Sequence, residues 1–310
     1  MRDLYVNGSP QPVGYMSHWR VHPRIRRSIV LANALSRAFA LYRALDADRR
    51  APFYLTSLIA GNRPAERLLT RGLPGFPTLH PFSDLTTFAI PLGRPRRAPE
   101  LPAGLRLERG SEALLPGILD CLARNGARRQ LAPVWTAETL CREEHTPGLA
   151  PEDFFVARNG ERVVGCLAAW NQKSFKQTVV RGYSGALARF RKPLNLLARL
   201  AGRLPLPDPG TPLRSSFASH RAIDGDEKPV FAALLGAVAR HAHERGDSFL
   251  LIGFAPADPL RAVASGSRRA ALGSGAIPYR SRLYLAAWPE GEGEIARVDA
   301  RIPGPEAALL

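Results

Sequence analysis

The sequence predicts an α/β protein with a mixed, α+β type of sheet, built from one five-element unit used twice. The order strand, helix, strand, helix, strand occurs at 13–21, 27–48, 53–59, 63–71 and 85–92. It recurs at 213–223, 229–245, 248–254, 258–272 and 279–287. Both copies place a histidine near the end of the opening strand, His22 and His220. Asn159-Gly160 sits between two apolar runs, which is a hairpin turn signal.

The elements follow in order. Residues 13–21 read as a strand. Residues 27–48 read as a helix because Leu31, Leu35, Ala38, Phe39, Tyr42 and Leu45 share one helical face. Phe53 to Ile59 is a short apolar strand. Pro64 to Arg71 is a helix with Asn62 near its N-cap and Gly72 as its stop. Leu85 to Leu92 is a strand. Arg94-Pro95-Arg96-Arg97-Ala98-Pro99 has the composition of a linker, which sets a boundary at 94–102 between a first unit, 1–93, and a second, 103–288. In the second unit, 105–108 is a strand, 112–124 a helix and 136–144 a short helix. Residues 154–158 and 162–170 form the hairpin. Residues 184–201 form a basic, apolar helix whose Arg189, Arg191, Lys192 and Arg199 could face an anion or a membrane but read better as a solvated face, and 205–212 is a Pro-rich loop. Residues 289–310 read as a loose acidic tail.

Bulk composition narrows the function classes. At 310 residues and 45% hydrophobic content the chain has room for about two cores. The net charge of +16 is mostly arginine, since Lys173, Lys176, Lys192 and Lys228 are the only lysines. Such a bias follows from GC-rich coding as readily as from function, and otherwise favours an anionic ligand or surface. No helix-turn-helix, zinc-finger or aromatic RNA-binding signature is present, so nucleic-acid binding is the weaker alternative. Three cysteines without a C-x-x-C pair argue against a disulfide framework or a zinc site. Met1 to Pro12 lacks the apolar core of a signal peptide, and no apolar run has the length of a membrane span. A cytoplasmic, metal-free protein is expected. No H-E-x-x-H, G-x-S-x-G, Walker A or Rossmann fingerprint appears.

The informative stretch is Val21-His22-Pro23-Arg24-Ile25-Arg26-Arg27-Ser28-Ile29-Val30-Leu31-Ala32. It reads as a strand end, a basic turn and a helix start, and Asn62-Arg63-Pro64-Ala65 follows the next strand. A helix N-terminus offers unpaired N–H groups and a partial positive charge, and the added arginines suit a pyrophosphate. Here the chain resembles the GNAT superfamily of acyl-CoA-dependent N-acyltransferases. That family carries V-x-P-x-x-R-x-x-G-x-G/A at this place and N-x-x-A after the next strand.

The resemblance implies a tandem GNAT-like fold, acetyl-CoA or another acyl-CoA as co-substrate, and a small-molecule or peptide amine as acceptor. It implies that pantetheine pairs with the backbone near Val21 and His22, and that the pyrophosphate sits on Arg26 to Ala32. Arg27 takes the family's arginine position, Ser28 or Val30 its glycine and Ala32 its last small residue. Ser28 can donate from N–H and hydroxyl, whereas the β-branched Val30 disfavours the positive φ a glycine would allow. Asn62 either contacts the cofactor arm or is a plain N-cap. Leu69 stands where the family commonly has a proton-donating tyrosine. Tyr54 is a substitute or simply core, and Glu66 and Asp84 are carboxylates in the right half with nothing to single either out as a base.

A whole domain of this family has about half its fold before the strand that opens this chain. The missing strands of the first unit therefore lie upstream, or come from the second unit or from another copy of the chain. The corresponding turn of the second unit, Arg221 to Lys228, carries Asp224, Asp226 and Glu227, which repel a pyrophosphate. The expected function is N-acyl transfer to an amine. The alternative is a catalytically inactive protein of this fold that binds a CoA-type ligand or a partner.

Overall fold

The computed structural model describes residues 1–17, 22, 24, 30–45, 51–93, 99–200, 205–265 and 275–310. Asn7 and Gly8 both adopt left-handed backbone (φ 54° and 86°), the geometry of a tight hairpin turn. They fold Arg2–Val6 (β1) antiparallel onto Ser9–Met16 (β2). The strand expected at 13–21 therefore starts earlier. Its two prolines, Pro10 and Pro12, are tolerated because β2 pairs there only with β1, at the margin of the sheet.

Helix α1 (Val30–Leu45) buries Phe39 among Phe76 and Trp288. Strand β3 (Tyr54–Ile59), helix α2 (Arg63–Leu69) and strand β4 (Thr78–Pro91) follow. The second half comprises β5 (Arg106–Arg109), α3 (Leu115–Gly126), the hairpin β6 (Phe154–Asn159) and β7 (Arg162–Trp170), α4 (Gly185–Leu200), β8 (Ser215–Ile223), α5 (Lys228–Glu244), β9 (Phe249–Phe254), α6 (Arg261–Ala264), β10 (Ile277–Ala287) and α7 (Glu292–Ala296). The helix expected at 136–144 is a run of turns, with Cys141 in left-handed backbone.

One ten-stranded sheet runs through both halves in the order β1-β2-β3-β10-β4-β9-β8-β7-β6-β5. The third strands of the two repeats are exchanged. β10, from the second half, pairs with β3 of the first (Tyr284 opposite Thr56). β4, from the first half, pairs with β9 of the second (Phe88 opposite Ile252). β10 and β4 then pair with each other along the seam. The strand expected to open the first unit, now β2, is flanked by β1 of the same chain.

Four apolar clusters follow from this layout. α5 and Leu260 pack on one face of β4 and β6 to β9, and α3 covers the other face of β6 to β8. α1 and α2 pack on β3 and β10 through Phe39, Leu69, Tyr54 and Tyr284. Behind them lie Leu131 and Ala307.

The C-terminal residues are not a loose tail. Ala307 and Ala308 are buried, Gln172 donates to the Ala308 carbonyl, and Lys176 donates to that of Leu310. Among the described residues no helix is long and apolar enough to cross a membrane.

Candidate functional site

Each half contains one pair of parallel neighbours. Among the described residues β2 and β3 pair over Gly14–Tyr54, Tyr15–Leu55 and Met16–Thr56, where the description of β2 ends, and β3 runs on to Ile59. β8 and β9 pair over Ser215–Phe249, Ser216–Leu250 and Phe217–Leu251 before they part. Where parallel strands part, each leaves unpaired backbone that an extended ligand can bond.

The second gap is filled by the chain itself. His220 stands in left-handed backbone (φ 55°), at the point where the β7–β8 register shifts. Its N–H donates to Glu306 Oε2 at 2.8 Å, and Ala307 lies so close to Gly253 of β9 that a Cβ there would come within 2.5 Å. The following turn is spent on α3. Asp224 accepts from Arg124 Nε (2.9 Å) and Asn125 Nδ2 (2.8 Å), and Asp226 from Arg128 (2.9 Å) and Arg129 (2.5 Å). Partial burial raises the pKa of Asp224, but the hydrogen bonds of Arg124 and Asn125 outweigh it and hold the carboxyl below its ordinary range. The turn that leads into α5 therefore carries carboxylates already engaged by Arg124, Arg128 and Arg129.

His220 is buried against Trp135, Phe154 and Trp170, with ring centroids at 4.2, 5.5 and 5.6 Å. Its Nδ1 shares a 2.8 Å hydrogen bond with Ser219 Oγ. Burial, with help from the Arg2 charge, pulls its pKa down to about 3, so it is neutral at physiological pH. A cavity of about 60 Å³ beside it is bounded by Asn125, Arg129 and Glu306. A larger recess, about 440 Å³, opens at the seam between His80, Phe82, Leu285 and Arg301.

The first gap is different. Its throat is fixed by Thr56 Oγ1 donating to the Met16 carbonyl (2.7 Å) and by a 3.0 Å hydrogen bond between Tyr15 Oη and Ser57 Oγ. Gly14 is required there, because a Cβ would stand 2.0 Å from the Tyr54 ring. The N-terminal ends of α1 and α2 follow the two strands that part. The first turn of α1 has no acidic residue.

Of the residues singled out in the sequence, Val21, Arg26, Arg27 and Ser28 lie outside the described residues. His22 is exposed, and its Nδ1 accepts from the Arg24 N–H at 3.3 Å. Val30 opens α1, more than half exposed, and Ala32 lies in the same turn, partly buried. Asn62 caps α2, its Oδ1 accepting from the Ala65 N–H at 3.4 Å.

Leu69 is buried in the α1–α2 core. Tyr54 is core as well, edge-on to Trp288 at 5.6 Å. Glu66 and Asp84 are brought together by Arg282, which donates to each at 3.2 Å. Glu66 also accepts from Tyr284 Oη at 2.7 Å. Burial first, then the Glu66 carboxylate, raises the pKa of Tyr284 and keeps the phenol protonated at neutral pH. Sequence reasoning missed Tyr284 because it assigned 279–287 to the second unit. The repeat itself carried the signal, since 85–92 and 279–287 are equivalent strands and so can trade places.

No sequence-family model matches the chain, and no curated protein matches it by sequence. Solved structures do match. The chain is similar to a GCN5-related N-acetyltransferase from Sphaerobacter thermophilus (17% identity, TM-score 0.54, 86% of this chain and 70% of that one). It is similar to a tandem GNAT protein from the clavulanic acid biosynthesis pathway (15% identity, TM-score 0.51, 90% and 76%). It also matches a GCN5-related glucosamine N-acetyltransferase region of a fungal multi-domain β-N-acetylglucosaminidase (13% identity, TM-score 0.51, 91% and 30%). Three further matches are spanned over only 54–57% of their length. At these identities the likeness is one of fold. The chain has a tandem GNAT fold, a mixed α/β architecture with its two copies joined in one sheet.

Proposed function

We propose that this chain is an N-acyltransferase that moves an acyl group, acetyl by analogy of fold, from acyl-CoA to an amine, and that the first half holds the donor. One observation supports this above the others. Glu306 and Ala307 fill the gap between β8 and β9, whereas among the described residues β2 and β3 pair over three positions only, and in the sequence the basic stretch 24–27 stands between β2 and α1. In this reading the backbone of Val21 and His22 pairs with the pantetheine arm. The N–H groups between Arg26 and Ala32, with Arg26, Arg27 and Ser28, hold the pyrophosphate, and Asn62 fixes the α2 side of the cleft.

The reaction needs little from the protein beyond alignment and proton handling. The neutral amine attacks the thioester carbon, the C–N bond forms, the C–S bond breaks, and the departing sulfur takes a proton. Leu69 cannot give that proton. Tyr284, which the strand exchange carries to this side beside Thr56, is a hydroxyl held protonated there. Tyr284→Phe is expected to slow CoA release about 100-fold with acetyl-CoA affinity unchanged. A wild-type rate in that variant removes Tyr284 from the proton route.

The reading itself is tested by free-thiol release from acetyl-CoA against a panel of small and peptide amines. Amine-dependent thiol release supports it. Acetyl-CoA binding without turnover on any amine leaves a protein that binds the donor and does no chemistry.

A further inference from the structure

Half of the chain's net charge of +16 sits in residues 171–214, which contain nine lysines or arginines and a single acidic residue, Asp208. This stretch connects the adjacent strands β7 and β8 by a long excursion that carries α4. No residue of α4 is buried. Among the described residues the helix is fastened through its polar side and its root. Asn195 exchanges two hydrogen bonds with Leu206, Arg191 pairs with Asp208, and Tyr183 donates to the Pro207 carbonyl.

The apolar stripe faces away from those contacts. Leu187, Phe190, Leu194, Leu197 and Leu200 recur at helical spacing and are 41–77% exposed. Arg189 borders the stripe, Lys192 and Arg199 stand on the opposite, polar face, and α4 contains no acidic residue. The sequence alone left this helix between a solvated face and one turned to an anion or membrane; an ordinary surface helix turns its leucines inward, and here they are exposed.

We propose that α4 is a membrane-surface anchor that lies in the headgroup region of an anionic lipid bilayer, with its leucine stripe in the acyl boundary and its arginines on lipid phosphates. An exposed apolar stripe on a helix whose polar face carries cations and no carboxylate matches a flat, anionic, apolar-cored surface. A partner protein would need a long apolar groove lined with carboxylates to do the same.

The test is co-sedimentation of the full-length protein with phosphatidylcholine vesicles, with and without anionic phosphatidylglycerol. The variants are Leu194→Glu with Leu197→Glu, and Arg189→Glu with Lys192→Glu. All four side chains project from α4, so circular dichroism is expected to be unchanged. Wild-type protein is expected to bind the anionic vesicles and to lose binding at least about tenfold in either variant. A Phe190→Trp reporter is expected to shift to the blue on binding. Absence of wild-type binding overturns the proposal. Binding that ignores the leucine variant also overturns it, because charge alone then suffices. A concentration-dependent dimer abolished by the leucine variant overturns it in favour of a second copy of this chain.

Discussion

Leu283→Ala lowers the stability of the whole protein by about 2–5 kcal/mol, and both halves still unfold in one transition. Leu283 is fully buried on β10, opposite Ser57 of β3 and Ser83 of β4. Its apolar neighbours come from every part of the chain: Leu4 and Val13 from the first hairpin, Leu55 and Leu85, Leu131 from the second half and Ala307 from the C-terminal end. Removing its methyl groups leaves a cavity where the halves interlock. Because β10 and β4 are traded, neither half keeps a complete sheet without the other. Denaturant unfolding followed by tryptophan fluorescence and by calorimetry checks this. Trp135 and Trp170 report on the second half, and Trp288 on the α1 side of the first. Two separable transitions, with only one shifted by Leu283→Ala, would contradict the exchange.

The stability difference between the unaltered protein and His220→Asn shrinks by about 3 kcal/mol between pH 7 and pH 4.5. The folded pKa of His220 is about 3, against 6.5 ordinarily. Between those values the unfolded chain binds a proton that the folded chain does not. Stability from this group is therefore full above pH 6.5 and falls by about 1.4 kcal/mol per pH unit below it. Asparagine suits the comparison because it accepts the left-handed backbone of position 220. Glu306 acts in the opposite sense. Burial raises its pKa, so the folded state takes up its proton at higher pH than the unfolded chain and is favoured on acidification. That contribution is common to both proteins and cancels in the difference. A difference that does not change with pH would mean that His220 is not buried neutral among Trp135, Phe154 and Trp170.

Much of the element order was legible in the sequence, because helical stripes such as Leu35–Phe39 and the Asn159-Gly160 turn are local signals. Pairing was not. β4 reads Leu-Thr-Thr-Phe-Ala-Ile, and that pattern satisfies β3 or β9 equally well, so nothing local marks the exchange. The first hairpin was given no element although Asn7-Gly8 announces it; Pro10 and Pro12 break the strand pattern there, and only their place near the sheet margin makes them acceptable. The C-terminal segment looked loose because its anchors, Glu306 on His220 and Ala307 on Gly253, are each made with residues far away in the chain.

The candidate site divides in the same way. Asn62 as a cap could be read from its neighbours. The Glu66–Tyr284–Arg282 cluster could not, since it exists only once β10 crosses into the first half.

The decisive measurement is isothermal titration of the full-length protein with acetyl-CoA, beside an Arg27→Ala, Ser28→Asp double variant and an Asp226→Ala variant of the second turn. A donor site in the first half predicts one equivalent bound, lost in the double variant and retained in Asp226→Ala. Binding that survives the double variant, or that disappears only when the second turn is altered, would contradict it.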